Sequence, residues 1–535
     1  MKSILFTVIA FLLALISYAQ NPHNGVYIGL PNMNASIRDL IEYYDRGYYL
    51  QSSLTPPSSY GSNAWNVKTS VNLEQQWDKV LTHTSGTVRA HAATIDNEGN
   101  TYLGGILYLN YSSDLPFVAK FNSCGENEWC VMLPKEGYIQ GRVSDILINE
   151  NEEIIALMIY LAPSNQATSD FIFLAALSKE GEFLWRENYA SPSNYPLLRY
   201  PTAFYMNYHN GEYYTSGYCY YAYPNNPNHF YLTPFFMGID SQFQEKWILP
   251  FGMQDSIRGV AYDVISLNDN MLMGMVNHWL PGIEHRTGLA FFDTQGNIAG
   301  YNQILNESLS PDYTWNVTTT AQAIDESVFV SPILFGPHNE KFWGEVIYDT
   351  SGNVYNFNVT GQHHLEYKMA RTSDENFVVG ITVKNNSTYS SIYLYKFDQN
   401  LQSVPFDTTT YIYDSLCPYP IQSGIIDLTG CMVLTSTDWI PTPQEYYARI
   451  RSIPITIYPN PAKDHITFAL ENTEHHRNIE LKCFNLLGVQ QHQTTILRSQ
   501  QQTSANVSAW PPGMYVVVVY SDGKPVGRGK FVINR

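Results

Sequence analysis

The chain has 535 residues and a formal net charge of −18, with 15% charged residues and 41 tyrosines. The acidic balance excludes a phosphate-backbone partner such as nucleic acid, which needs clustered Lys and Arg. An apolar content of 44% excludes a disordered stalk, and low charge with abundant Tyr, Thr, Asn and Val suits strands and turns rather than long exposed helices.

Lys2 forms a short positive n-region, and Ile4 to Ile16 is an uncharged apolar run. Ser17-Tyr-Ala19 then places small residues where a signal peptidase reads, so residues 1–19 are expected to be a signal peptide cut between Ala19 and Gln20. No Cys follows that run, which disfavours a lipid anchor. No later stretch approaches about 18 apolar residues, so no membrane span is expected in the mature chain.

The middle of the chain repeats. Leu73-Glu-Gln-Gln-Trp77, Gly125-Glu-Asn-Glu-Trp129, Gly181-Glu-Phe-Leu-Trp185 and Phe243-Gln-Glu-Lys-Trp247 each follow an apolar strand and a polar turn. The strand and turn recur without Trp at Phe291 to Asn297, Ile347 to Asn353 and Leu394 to Asn400, and an eighth copy is read at Tyr446 to Arg451. A second landmark, a polar turn leading into a short strand, begins at Asp45, Glu98, Glu152, Asn210, Asn268, Asp325, Asp374 and Thr429. Steps of about 50 to 60 residues match four-stranded propeller blades with long loops, and the pattern resembles the blade repeat of secreted bacterial β-propellers.

The last repeat lacks a fourth strand, while Asn24 to Leu30 looks like a fourth strand without its blade. Pairing the two would close a ring and leave no sheet edge open. The expectation is an all-β chain with an eight-bladed propeller over residues 20–452, closed by 24–30. The alternative is seven blades, closed by Leu73 to Thr82. The four Trp are expected to wedge between neighbouring blades rather than form an exposed stacking ring.

Chemistry-bearing motifs are few. The turns Asp96 to Asn100, Asp293 to Asn297 and Asp349 to Asn353 lack the ligand alternation of a calcium loop and read as tight hairpin turns, with calcium as the lesser reading and no other cofactor expected. The pairs His363-His364 and His475-His476 show no metal-ligand spacing. No nucleophile elbow and no phosphate loop occur, and the paired acids Glu152-Glu153 fall at a repeat turn, so no catalytic residue is assigned. Cys124 and Cys130 flank a hairpin tip and are expected to pair, with Cys219, Cys417 and Cys431 unassigned and at least one thiol free. The Tyr-rich stretch Tyr213 to Pro224, including Tyr220 and Tyr223, suggests a face for a glycan or surface protein.

The C-terminal segment carries the most specific signal. It reads Ile453-Pro-Ile-Thr-Ile-Tyr458-Pro459-Asn460-Pro461, then Phe484-Asn-Leu-Leu-Gly488, then Pro512-Gly513-Met-Tyr515-Val-Val-Val-Val519, and closes on Gly529-Lys530-Phe-Val-Ile-Asn-Arg535. These motifs resemble, over the whole of residues 453–535, the type A C-terminal sorting domain of type IX secretion cargo. The resemblance implies an Ig-like sandwich recognised by the type IX machinery and removed by its sorting protease near Arg451 to Thr456. It also implies passage through the periplasm to the outer cell surface or beyond. The delivered region is expected to bind or scaffold rather than catalyse, with a carbohydrate- or peptide-active propeller enzyme as the alternative. Polar residues converging at the ring's central mouth would favour the enzyme.

Overall fold

The computed structural model describes residues 25–534, except 57–60, 110–112, 163–169, 191–194, 196, 224–225, 253–257, 281–282, 305–313, 318–320, 337–341, 363, 385–388, 408–416, 418–422, 435–439, 451–452, 474–475, 477, 498–499 and 522. The chain divides into two compact units, one ending at Ile440 and one spanning Pro441–Arg535. The proposed signal peptide and its Ala19–Gln20 cut lie outside the described residues, as do Arg451 and Ser452 of the expected sorting cleavage.

The first unit is a propeller-like array of antiparallel four-stranded modules at 34–82, 86–132, 140–189, 198–250, 258–303, 314–362 and 364–397. The seventh module supplies three strands, and Val26–Ile28 completes it by pairing with Ser390–Phe397, with Tyr27 opposite Tyr393. Val26–Ile28 thus joins a module one repeat earlier than the one expected to receive residues 24–30.

Burial explains why these segments are strands. The second strand of the third module, Ile154–Leu161, is enclosed on both faces and is a continuous apolar run. The first strand alternates buried and half-buried residues, as in Asn34–Glu42. The turn before the fourth strand is held by its own polar side chain: Asp240 Oδ1 accepts the backbone N–H groups of Gln242 and Gln244, both at 2.8 Å.

The tryptophans lock neighbouring modules. Trp77 donates its indole N–H to the Ser123 carbonyl of the next module at 3.3 Å, Trp129 to Lys179 at 2.8 Å and Trp247 to Thr294 at 3.0 Å. Two residues beyond each carbonyl lies Gly125, Gly181 or Gly296, each with φ between 73° and 85° and its α-carbon against the indole. A Cβ at Gly181 would lie 2.7 Å from the Trp129 ring. Trp185 differs because Phe243 replaces the glycine. The two rings meet at 4.3 Å between centroids, and the Trp185 N–H has no hydrogen-bond partner among the described residues. Where Trp is missing, Asn302 and Asn356 donate to Thr350 and Asn400 of the following module at 2.8 and 2.9 Å.

Among its described residues, the eighth repeat forms no sheet of its own. Gly424–Asp427 adds in parallel to the outer strand Gln75–Thr82 of the first module, and Met432–Val433 adds in parallel to Asn127–Met132 of the second. Tyr446 to Ile450 is helical, within Pro443–Ile450. The reason is local: Thr442-Pro-Gln-Glu445 is a capping box, with Thr442 N–H on Glu445 Oε2 at 2.9 Å and Glu445 N–H on Thr442 Oγ1 at 3.3 Å.

The expected Cys124–Cys130 disulfide is also corrected. Cys130 stands opposite Ala119 in the hairpin register, while Cys124 sits in the turn, so the two are not cross-strand neighbours. Instead Cys124 bonds Cys417 and Cys130 bonds Cys431, with Cα–Cα distances of 5.5 and 4.9 Å. Both bridges tie the returning segment to the second module. Cys219 and Cys483 are free and buried.

The second unit is a sandwich. Ile455–Tyr458, His465–Leu470 and Gln502–Asn506 form one sheet; Gln490–Ile496, Ile479–Asn485, Gly513–Ser521 and Lys524–Ile533 form the other. Ile466, Phe468, Leu481, Val517, Val519 and Phe531, from both sheets, are buried in one core.

Candidate functional site

The first strands of the modules carry a shared irregularity. The register to the second strand skips one residue between Ile37 and Asp39, Ala90 and Ala92, Val143 and Asp145, Ala203 and Tyr205, and Ala261 and Asp263. A residue skipped by a β-bulge is freed from the ladder and its side chain is re-aimed. The skipped residues are Arg38, His91, Ser144, Phe204 and Tyr262, and all five line one cavity of about 740 Å³. Arg142, Tyr108, Tyr205 and Tyr218, with Glu366 and Lys368 of the seventh module and Trp343 of the sixth, also line it.

The residue after the bulge does a different job in alternate modules. Asp39 accepts the N–H of Leu40 at 2.9 Å and, across the module boundary, that of Ala93 at 3.1 Å. Asp145 does the same with Ile146 at 2.8 Å and Met206 at 2.7 Å. Asp263 does so with Val264 at 2.8 Å and with Ala321. These carboxylates therefore stitch first strands together at the wall. Burial raises all three pKa values, with Asp145 and Asp263 reaching about 7 despite the N–H donors.

Charge inside the cavity is unevenly answered. Glu366 pairs with the Arg38 guanidinium and accepts from Ser36. Burial works against the Lys368 ammonium, but Tyr205, Asp39, Asp145 and Glu366 more than offset it and raise its pKa. Its Nζ lies 5.8 Å from the Tyr205 ring centroid. Arg142 reaches Ser144 Oγ from Nε at 3.4 Å and has no carboxylate partner among the described residues. Burial, then Arg142, Arg38 and Arg89, push His91 down to about 4, so its ring is neutral near pH 7. Its Nε2 is buried and has no hydrogen-bond partner among the described residues.

The Tyr-rich stretch is part of the strand Glu212–Tyr223. Tyr213 and Tyr214 are core residues, Tyr218 lines the cavity, and Tyr220 is exposed. The side chain of Tyr223 lies outside the described residues. Glu152 pairs with Lys179 at 3.1 Å and Glu153 is buried, so the two do not face a common cleft. Of the histidine pairs, His363, His475 and the His364 side chain lie outside the described residues, and His476 is buried. Asp96, Asp293 and Asp349 each accept the backbone N–H groups two and four residues on within their turns. Among the described residues, no group of three or more His, Cys, Asp or Glu could hold a metal ion. The same residues contain no helix long and apolar enough to cross a membrane.

In the C-terminal unit, Asn460 clips the Pro459-Asn460-Pro461 turn to the last strand: its Oδ1 accepts the Val532 N–H at 2.9 Å. Tyr458 is exposed, as is Lys530. Gly488, at φ 79°, closes the turn in which Asn485 Oδ1 accepts from Leu487 and Val489. After Pro512 and Gly513, Tyr515 turns into the core, stacks on Phe531 and donates to the Pro511 carbonyl at 2.7 Å.

Residues 456–534 match the family model described as secretion system C-terminal sorting domain. The chain is thus type IX cargo, sent to the outer surface or beyond. No match is found among curated proteins. Among solved structures, the chain is similar to Drosophila Semaphorin 2a, at 8% identity over 96% of this chain and 97% of that one, with a TM-score of 0.41. It is also similar to a protein of unknown function from Dyadobacter fermentans, at 8% identity over 70% and 97% with a TM-score of 0.41. A third likeness is to the NanB sialidase of Streptococcus pneumoniae, at 8% over 72% and 71% with a TM-score of 0.39. No residue role is carried over from any of them.

Proposed function

We propose that this secreted chain is a seven-bladed propeller that binds a small ligand in its central cavity, delivered there by a sorting domain that the secretion machinery then removes. The observation that carries the reading is the shared bulge, which turns one side chain from each of the first five modules into the same space. Glycosidase chemistry asks for two carboxyls facing each other across a cleft. Here Glu366 is committed to Arg38 and Ser36, and the three aspartates to backbone N–H groups. The second reading, an extracellular propeller enzyme, rests on the polar character of the mouth, where Arg38, His91, Arg142, Glu366 and Lys368 converge.

The test is to incubate the full chain with panels of oligosaccharides and peptides, following retention and product formation together. Retention without turnover, abolished by Ser144→Trp filling the cavity, is the expected result. Turnover sensitive to the same variant would establish the enzyme instead, and binding indifferent to it would remove the cavity from the account. For delivery, deleting 453–535 should leave the propeller inside the cell.

A further inference from the structure

Resting on the binding reading above, the geometry points to a carboxylate-bearing sugar as the ligand, its carboxylate on Arg142 and its ring against the aromatic wall. Arg38 holds Glu366, whereas Arg142 and Lys368 make no carboxylate ion pair among the described residues; of these two, Lys368 has its charge favoured by Tyr205, Asp39, Asp145 and Glu366, which leaves Arg142 the better placed for an outside anion. A guanidinium presents a rigid donor fork that matches a carboxylate. Beside it, the neutral His91 offers a buried, unpartnered ring nitrogen, able to donate to or accept from a hydroxyl.

Around this polar point stand Tyr108, Phe204, Tyr218 and Tyr262, contributed by the second, fourth and fifth modules. Flat rings beside fixed polar groups suit a sugar, which has an apolar ring face and a hydroxylated rim. The volume of about 740 Å³ suits a small ligand rather than a polymer. The net charge of −18 opposes polyanions at a distance, so a ligand with one negative charge fits better than a multiply charged one. A peptide laid down as an added strand would need a free strand edge. The cavity edges of the first strands already give the N–H groups of Ala93, Met206 and Ala321 to aspartates.

Uronic acids and sialic acids both present this chemistry, and the experiment separates them. The full chain is titrated calorimetrically with a uronate-containing oligosaccharide, a sialylated one, the methyl ester of each, and their neutral parents. The expected result is binding of at least one acid, with its ester and parent weaker by tenfold or more. Arg142→Gln should reduce that preference by tenfold or more while leaving the melting temperature unchanged, and Arg142→Lys should recover part of it. Equal affinity for acid and ester, an acid preference that survives Arg142→Gln, or no binding of any acidic sugar would each overturn the assignment. A neutral sugar or a peptide that binds and is displaced by Ser144→Trp would defeat the acidic class while leaving the binding propeller standing. Ligands that ignore Ser144→Trp would defeat both.

Discussion

His91 shows how one bulge sets the electrostatics of a side chain. The ring is turned into a cavity that already holds Arg38, Arg142 and Lys368, with Glu366 paired and Asp39 and Asp145 in the wall. Burial and the arginines hold its pKa at about 4, against an ordinary value of 6.5. Between those values the unfolded chain binds the proton and the folded chain does not, so this residue lowers stability as pH falls from 6.5 to 4. Asp145 and Asp263 act in the opposite sense, because their folded pKa of about 7 lies above the ordinary 3.8 and stability falls as pH rises between the two. His91→Gln removes only the first contribution. The melting temperature of the variant, relative to the parent, should therefore be more favourable at pH 4.5 than at pH 7.5. Calorimetric scans giving the same difference at both values would show that the folded chain binds this proton as readily as the unfolded one. None of this was legible in the sequence, because alternation of apolar and polar residues does not reveal where a strand skips a residue. A trace of it is there in hindsight: Arg38-Asp-Leu, Ser144-Asp-Ile and Tyr262-Asp-Val recur in alternate modules.

At the scale of elements, the repeat was readable because each module must make the same turns and bury the same faces. Trp77, Trp129, Trp185 and Trp247 were correctly read as wedges, since one strand position shared by neighbours faces the same boundary. What the pattern hid was the partner in the following module, a glycine for Trp77, Trp129 and Trp247 and Phe243 for Trp185. Gly181→Ala must place a methyl group into the Trp129 ring at a positive φ, whereas Gly137→Ala has a similar φ of 83° and nothing within 4 Å. Urea melts should find Gly181→Ala more destabilising than Gly137→Ala by about 1–3 kcal/mol, the usual cost of overpacking. Equal losses would mean that backbone strain alone matters at Gly181. The eighth repeat was misread for the converse reason: Tyr446-Tyr-Ala-Arg-Ile-Arg451 has strand-like residues, but Thr442 and Glu445 cap a helix just ahead of them. The cysteines could not be paired by spacing, because each bridge joins residues about three hundred apart, at separations of 293 and 301.

For the whole molecule, those bridges and the two short parallel strands bind the segment after Phe397 to the outer edges of the first two modules. Outer edges are where sheets invite unwanted pairing, and covering them is a common safeguard. With Cys417→Ser and Cys431→Ser together, this strap loses its covalent hold but the seven modules keep their cores. Limited proteolysis followed by mass spectrometry should show early cuts between residues 398 and 440 and later ones elsewhere. Cuts appearing everywhere at one rate would make the strap integral to the propeller. Closure by Val26–Ile28 also has a bearing on when the protein can fold. Gly25 donates to the Tyr393 hydroxyl across 368 residues, so this strand must wait for all seven modules to be made before it finds its mate. Until then the growing polypeptide stays incomplete and in need of shelter, a state that suits threading through a membrane pore better than early folding would.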